Sequence, residues 1–307
     1  MAINKLLLSA IRALSYPDLD VKHHYRLMRR VEGKTHYRYR RPTFRAWDEP
    51  IMAEGRSIPT RVFAPMNRPS GGILLFFHGG GWVHGSIDSY DKVCAGMAET
   101  TGQTVVSVDY RLAPEFPYPA ALKDCYAAAK ALICEKQRDG GPVTLIGDSA
   151  GGNLAAAVSL LGRDRGDFIP KQQILIYPAT YNDHSPSSPF ASIVENGTDY
   201  LLTSKRICDY MDLYAPLPET RQSPYFAPLL ADDFSRQPDT LVITAQFDPL
   251  RDEGEAYGEA LRAAGSYVEV HRIPDVLHGF FALPQSFPPV ADAFAIINHF
   301  LSGERYE

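Results

Sequence analysis

The run Val143-Thr144-Leu145-Ile146-Gly147-Asp148-Ser149-Ala150-Gly151-Gly152-Asn153-Leu154 decides the fold. Its first four residues are apolar or β-branched, as expected of a strand covered on both faces. Its last residues open an alanine-rich segment that predicts a helix over 152–161. Between strand and helix stands Ser149, framed by small residues. A sharp strand-to-helix turn there lifts the serine hydroxyl above the sheet edge. The helix N-terminus then points its N–H groups at the same place, favouring negative charge. Gly147 and Gly151 read as positions where neighbouring backbone passes too close for a side chain. The competing reading is a plain helix N-cap by Asp148 or Ser149; the strand before it favours the turn.

Working outward, short apolar runs recur at 72–77, 104–108, 174–177, 241–244 and 267–270, with an earlier strand-like segment at 58–63 closed by Pro65. Helical patterns fall at 120–136, 253–264 and 290–301. Buried strands alternating with helices predict an α/β fold, a mostly parallel central sheet flanked by helices. Two stretches depart from this rhythm. Residues 1–45 read as helix-rich, with Leu7, Ile11 and Leu14 at helical spacing and Pro17 ending the run. Residues 182–228 are rich in Ser, Pro, Asn, Asp and Tyr, with one helix over 204–214. A long insertion after a strand is expected to act as a lid. The division is therefore 1–45 as the N-terminal part of a helical cap and 46–307 as the catalytic domain, with 182–228 as a lid insertion.

Bulk properties narrow the class. The 307 residues are 45% hydrophobic and 22% charged, enough for a large core, and the formal net charge is −5. That balance argues against a general nucleic-acid binder. Lys22, Arg26, Arg29, Arg30, Lys34, Arg38, Arg40 and Arg41 face only Glu32. The expected reading is a solvated helix face plus linker; a surface for anions or membrane headgroups is the sharper alternative. Cys94, Cys125, Cys134 and Cys208 show no C-x-x-C pair and no zinc-ligand spacing. Cys125 and Cys134 read as small core hydrophobes, and a reducing, cytoplasmic compartment is expected. No signal peptide or membrane span is read, so no membrane insertion is expected. Asn196-Gly197-Thr198 matches a glycosylation sequon, relevant only in a secreted chain. No H-E-x-x-H or similar pattern appears, so no metal is expected.

Three further motifs surround the serine. His78-Gly79-Gly80-Gly81 directly follows the strand at 72–77. Three glycines in a row are costly unless backbone must approach closely. The N–H groups of Gly79 and Gly80, with that of Ala150, are expected to hold an oxyanion. A phosphate loop is the rival, but no Gly-Lys-Ser/Thr follows. His78 is expected to brace this loop. Asp248 and His278 each follow a strand, at the carboxyl end where such sheets place their sites. His278 is expected to act as general base and Asp248 to orient it. Asp252 is the rival acid, with capping of the following helix as its other role.

Together these residues resemble the bacterial hormone-sensitive-lipase-type esterases, a branch with the α/β-hydrolase fold. The carriers are His78-Gly79-Gly80-Gly81-Trp82, Asp109-Tyr110-Arg111-Leu112-Ala113-Pro114-Glu115, Gly147-Asp148-Ser149-Ala150-Gly151-Gly152, Asp248-Pro249-Leu250-Arg251-Asp252 and His278-Gly279-Phe280. The resemblance covers roughly 58–302 and implies cofactor-free hydrolysis of small-molecule acyl esters of short chain, about C2–C6. It also implies a cap and, often, a homodimer. It gives 109–115 a structural role, with Arg111 and Glu115 as an expected pair. Trp82 and Phe280 are candidate pocket walls, with a plain core role as the alternative for each. An acyltransferase or amidase would use the same triad, and a non-catalytic binding protein the same scaffold. His278 in its motif argues for chemistry.

Overall fold

The computed structural model describes residues 20–34, 43–66, 71–139 and 141–305. The helix read around Leu7, Ile11 and Leu14 lies outside them. Eight strands form one sheet: β1 (Phe44–Asp48), β4 (Thr60–Pro65), β5 (Ile73–Phe77), β6 (Thr104–Val108), β7 (Val143–Asp148), β8 (Gln172–Ile176), β9 (Asp239–Phe247) and β10 (Val268–Leu277). Their order is β1-β4-β6-β5-β7-β8-β9-β10, and β2 (Ile51–Ala53) with β3 (Arg56–Ile58) makes a separate hairpin. Every pair from β6 to β10 is parallel. β1 and β4 join antiparallel. The sheet is thus mostly parallel, as read, with an antiparallel edge that was not. β1 buries only Phe44 and exposes its other four residues, so no apolar alternation marks it. It also begins before residue 46, so the expected cap boundary falls inside a sheet strand.

Alternate strand residues feed two core layers. Leu75, Phe77, Leu145 and Val242 pack under α3 (Ala120–Asp139), α4 (Ala150–Arg165) and α7 (Arg251–Ala263). Leu74, Phe76, Ile146 and Ile243 pack under α2 (Asp91–Thr101) and α8 (Pro288–Ser302). This is the period-two logic of a strand buried on both faces. Helix α2 escaped the sequence reading because Gly96 sits mid-helix and its polar ends blur the periodicity.

Helix α4 is buried along nearly its whole length, and its alanines and glycines let it lie close on the sheet. A Cβ at Gly151 would overlap the carbonyl oxygen of Phe77, and one at Gly147 would overlap the backbone of Gly151. The two motif glycines are therefore steric necessities of this turn.

The two stretches expected to form a cap pack on each other. Helix α1 (Val21–Lys34) lies against α6 (Ser204–Tyr214), and Lys22 pairs with Asp209 and Asp212. Val21, Tyr25, Ile207, Tyr210 and Met211 join the first core layer. A short helix, α5 (Ala191–Asn196), lies in the same insertion.

Several local expectations are corrected. Arg29 is no solvated charge: it donates to the carbonyls of Val83 and Ala113 and pairs with Glu115. Arg111 instead grips Asp124, so the expected Arg111–Glu115 pair is absent. Cys125 is buried but Cys134 is exposed. Asn196 of the sequon is buried and donates to the carbonyl of Asp248. Among the described residues, no helix is long and apolar enough to cross a membrane.

Gly151→Ala is expected to destabilise the fold by about 2–4 kcal/mol, since neither clashing partner is a mobile side-chain end. Urea denaturation measures this; an unchanged midpoint would refute the steric reading of the turn.

Candidate active site

The turn at the end of β7 places Ser149 at φ 55 and ψ −120, a left-handed conformation that non-glycine residues rarely hold. Its N–H is tied to the carbonyl of Ile176 at 2.9 Å, on the neighbouring strand β8. The hydroxyl therefore stands clear of the sheet, beside the N-terminus of α4. Ser149 Oγ lies 2.8 Å from His278 Nε2, and His278 Nδ1 lies 2.7 Å from Asp248 Oδ2. The carboxylate fixes the proton on Nδ1, which leaves Nε2 free to accept from the serine.

Each partner is itself held. Asp248 is fully buried, and its other oxygen accepts from the N–H of Leu250 at 2.9 Å. His278 follows the last residue of β10, with the ring of Tyr177 at 4.6 Å. Asp252, the rival acid, is used elsewhere. It accepts from the N–H of Ser192 and pairs with Arg251. It does not cap α7, whose N-cap position is Leu250.

The glycine loop departs from expectation at one residue. The N–H of Gly79 donates to Asp148 Oδ1 at 2.8 Å. That donor is committed to a buried carboxyl. Gly80, Gly81 and Ala150 line the cavity beside Ser149, whereas Gly79 does not. Gly80 at φ 115 and Gly81 at φ 60 reverse the chain, and glycine adopts both without strain. His78 braces the loop, as expected. It stacks on Tyr110 at 4.3 Å, and burial pushes its pKa down to about 4, so the ring is neutral.

Asp148 is the residue that sequence reasoning missed. As a member of the serine motif it carries no role of its own in the sequence, beyond capping in the competing reading. Its carboxyl is buried, and besides the Gly79 N–H it also accepts from Tyr90 at 2.9 Å. Burial pushes its pKa up to about 6, against the hydrogen bonds of Tyr90 and Gly79. A charged residue inside the serine motif was the available signal, because buried carboxyls need donors nearby.

The cavity over Ser149 measures about 280 Å³. Leu201, Leu202, Ile207 and Leu250 give it apolar walls. Trp82 lines it, and its indole stacks on Tyr214 at 4.6 Å. Phe280 does not line it. Gly279, at φ 85, turns the chain away, and Phe280 packs edge-on against Tyr177 in the second core layer.

Fold and geometry together define a class, and comparison with known proteins agrees. Residues 74–282 match the family described as alpha/beta hydrolase fold. The chain belongs to that family, in its hormone-sensitive-lipase-type branch. It is similar to Esterase LipI of Mycobacterium tuberculosis, 37% identical over 260 residues covering 82% of this chain and 80% of that one. It is also 36% identical over 237 residues to an ethyl acetate hydrolase of Pseudomonas putida, covering 75% and 73%. Among solved structures, a hyperthermophilic esterase from Pyrobaculum calidifontis superposes with a TM-score of 0.82 at 35% identity, covering 97% of each chain. The chain is a carboxylic ester hydrolase.

The two perturbed groups act oppositely on stability. Between pH 6.5 and about 4 the unfolded chain protonates His78 and the folded one does not, so stability falls as pH falls. Between about pH 6 and 3.8 the folded chain holds a proton on Asp148 that the unfolded one releases, so stability rises as pH falls. In the shared window they offset each other. Asp148→Asn removes the second contribution, so its melting temperature is expected to drop more steeply than the native one from pH 6 to pH 4. Parallel slopes in calorimetry would show that Asp148 holds no such proton.

Proposed function

We propose that this chain hydrolyses short-chain acyl esters, about C2–C6, through an acyl-serine intermediate. One observation carries the reading. A hydroxyl on a strained turn, an imidazole and a buried carboxylate form a continuous hydrogen-bonded chain at 2.8 and 2.7 Å, at the floor of a small cavity.

Ser149 Oγ attacks the ester carbonyl while His278 Nε2 takes its proton. Asp248 steadies the imidazolium that forms. The carbonyl oxygen becomes an oxyanion and rests on the N–H groups of Gly80, Gly81 and Ala150. Ala150 opens α4, so the helix dipole adds to this stabilisation. His278 returns the proton to the leaving alkoxide, and the alcohol departs. Water then attacks the acyl-serine by the same path in reverse, releasing acid and free serine.

Size and wall chemistry support the substrate range. A cavity of about 280 Å³ sits at the small end of ligand sites, which run to about 300–1,000 Å³. Its leucine and isoleucine walls suit a short acyl chain. Similarity to an ethyl acetate hydrolase points the same way.

Initial rates across p-nitrophenyl esters of rising acyl length test this. Turnover is expected to peak within the short chains and to fall at least about 10³-fold in Ser149→Ala. A fluorophosphonate adduct should appear by intact mass in the native chain alone. Asp248→Asn is expected to lose about 10³–10⁴-fold in kcat, while Asp252→Asn stays within about threefold. Ester turnover indifferent to Ser149→Ala would overturn the mechanism. A greater loss in Asp252→Asn would overturn the assignment of the acid.

A further inference from the structure

The cavity wall carries a second chain of carboxylate, imidazole and hydroxyl. Glu32 Oε1 lies 2.8 Å from His84 Nδ1, and His84 Nε2 lies 3.0 Å from the hydroxyl of Tyr210. The three residues come from α1, from the loop after the glycines and from α6. His84 and Tyr210 line the cavity that holds Ser149; Glu32 stands behind them.

Every link of this chain bears on the glycine turn. The N–H groups of Val83 and His84 donate to the carbonyl of Gly80 at 3.1 and 3.0 Å and close the turn. Glu32 also accepts from the N–H of Gly85 at 3.2 Å. One turn earlier on α1, Arg29 donates to the carbonyl of Val83 at 2.6 Å. The ring of Tyr210 lies over Gly81, where a Cβ would overlap it. Burial pushes the Glu32 carboxyl up, but His84 and the Gly85 N–H outweigh that and hold it below the usual range. It therefore stays a carboxylate, the stronger acceptor.

A turn of three glycines has little stiffness of its own. Donors for an oxyanion are effective only when fixed beforehand, and a misplacement of about 1 Å can cost about 10²-fold in rate. On the inner side, Asp148 fixes Gly79. We propose that Glu32, His84 and Tyr210 form the outer clamp that positions the N–H groups of Gly80 and Gly81, so that the cap helix sets the rate of the chemical step as well as covering the site. This rests on the acyl-serine reading. Glu32 and His84 are positioning residues, acting through the loop rather than on the ester.

The test uses the full chain with Glu32→Gln, Tyr210→Phe and the double variant. The readings are kcat, KM and the inhibition constant of an aliphatic trifluoromethyl ketone, which adds Ser149 and puts an oxyanion in the hole. Glu32→Gln is expected to lower kcat about tenfold and to weaken the ketone by the same factor, with KM within about twofold. Tyr210→Phe keeps the ring over Gly81 but cuts the chain, so it should weaken the ketone comparably. The double variant should be no worse than the poorer single, because one chain is broken once. Ketone affinity within twofold of native in both single variants would overturn the clamp. So would losses confined to KM, or losses that multiply in the double variant. Should Glu32→Gln fail to fold, Tyr210→Phe decides by the same ketone reading. Native turnover that depends on Ser149, with variants equal to native, sinks the clamp alone. Native turnover that ignores Ser149 overturns both proposals.

Discussion

The close approach of α4 to the sheet is the constraint on which the rest depends. Gly151 lies against the backbone of Phe77, and Gly147 against Gly151. That contact leaves the chain one sharp way to pass from strand to helix, and it places Ser149 at φ 55. A non-glycine residue held there costs of order 1–3 kcal/mol, which persists only when the surroundings over-determine it. They do so here through the Ser149 N–H on Ile176, the Tyr177 N–H on Ile243 and the buried length of α4. The same contact brings the end of β5, and so the glycine loop, beside the serine. Ser149 and the loop are neighbours because two backbones touch.

This explains what was legible in the sequence. Glycines that cannot be replaced, and short apolar strands that must be covered, leave marks in residue type. Ser149, Asp248 and His278 each stand at the carboxyl end of a strand, so strand positions alone carried them to one edge. What the sequence could not give is direction. That three glycines lie near the serine follows from their place after β5. Which N–H groups face the cavity depends on Asp148, whose buried carboxyl turns the first donor inward. Between wall and core, Phe280 could not be settled for the same reason, because its course is set by the positive φ of Gly279 and not by its own chemistry.

Charge was the other blind spot. A run of basic residues reads as a wet surface because that is what isolated helices show. Arg29 departs from it by finding two backbone carbonyls and Glu115 across a chain separation of more than fifty residues, at Val83, Ala113 and Glu115. Glu32, the one acid in the run, faces the same loop. Periodicity within one helix carries no information about carbonyls on another segment, so these contacts become visible only in three dimensions. Their position on α1 makes that helix part of the loop's support.

The two chains of carboxylate, imidazole and hydroxyl then differ by environment, not by inventory. In one, the hydroxyl belongs to a serine on a strained turn, at a helix N-terminus, in a cavity that Gly80 and Gly81 also line. In the other, it belongs to a tyrosine whose ring is packed over Gly81 and whose proton is held more tightly by burial. A buried phenol gains nothing from release of its proton, since the anion would lose solvation and sit near Glu32 and Asp209. Like groups pushed apart by their surroundings take different roles. On the proposed mechanism the serine chain moves a proton, whereas the tyrosine chain holds one still. The proposed acyl transfer, with its fixed N–H donors, has use for both.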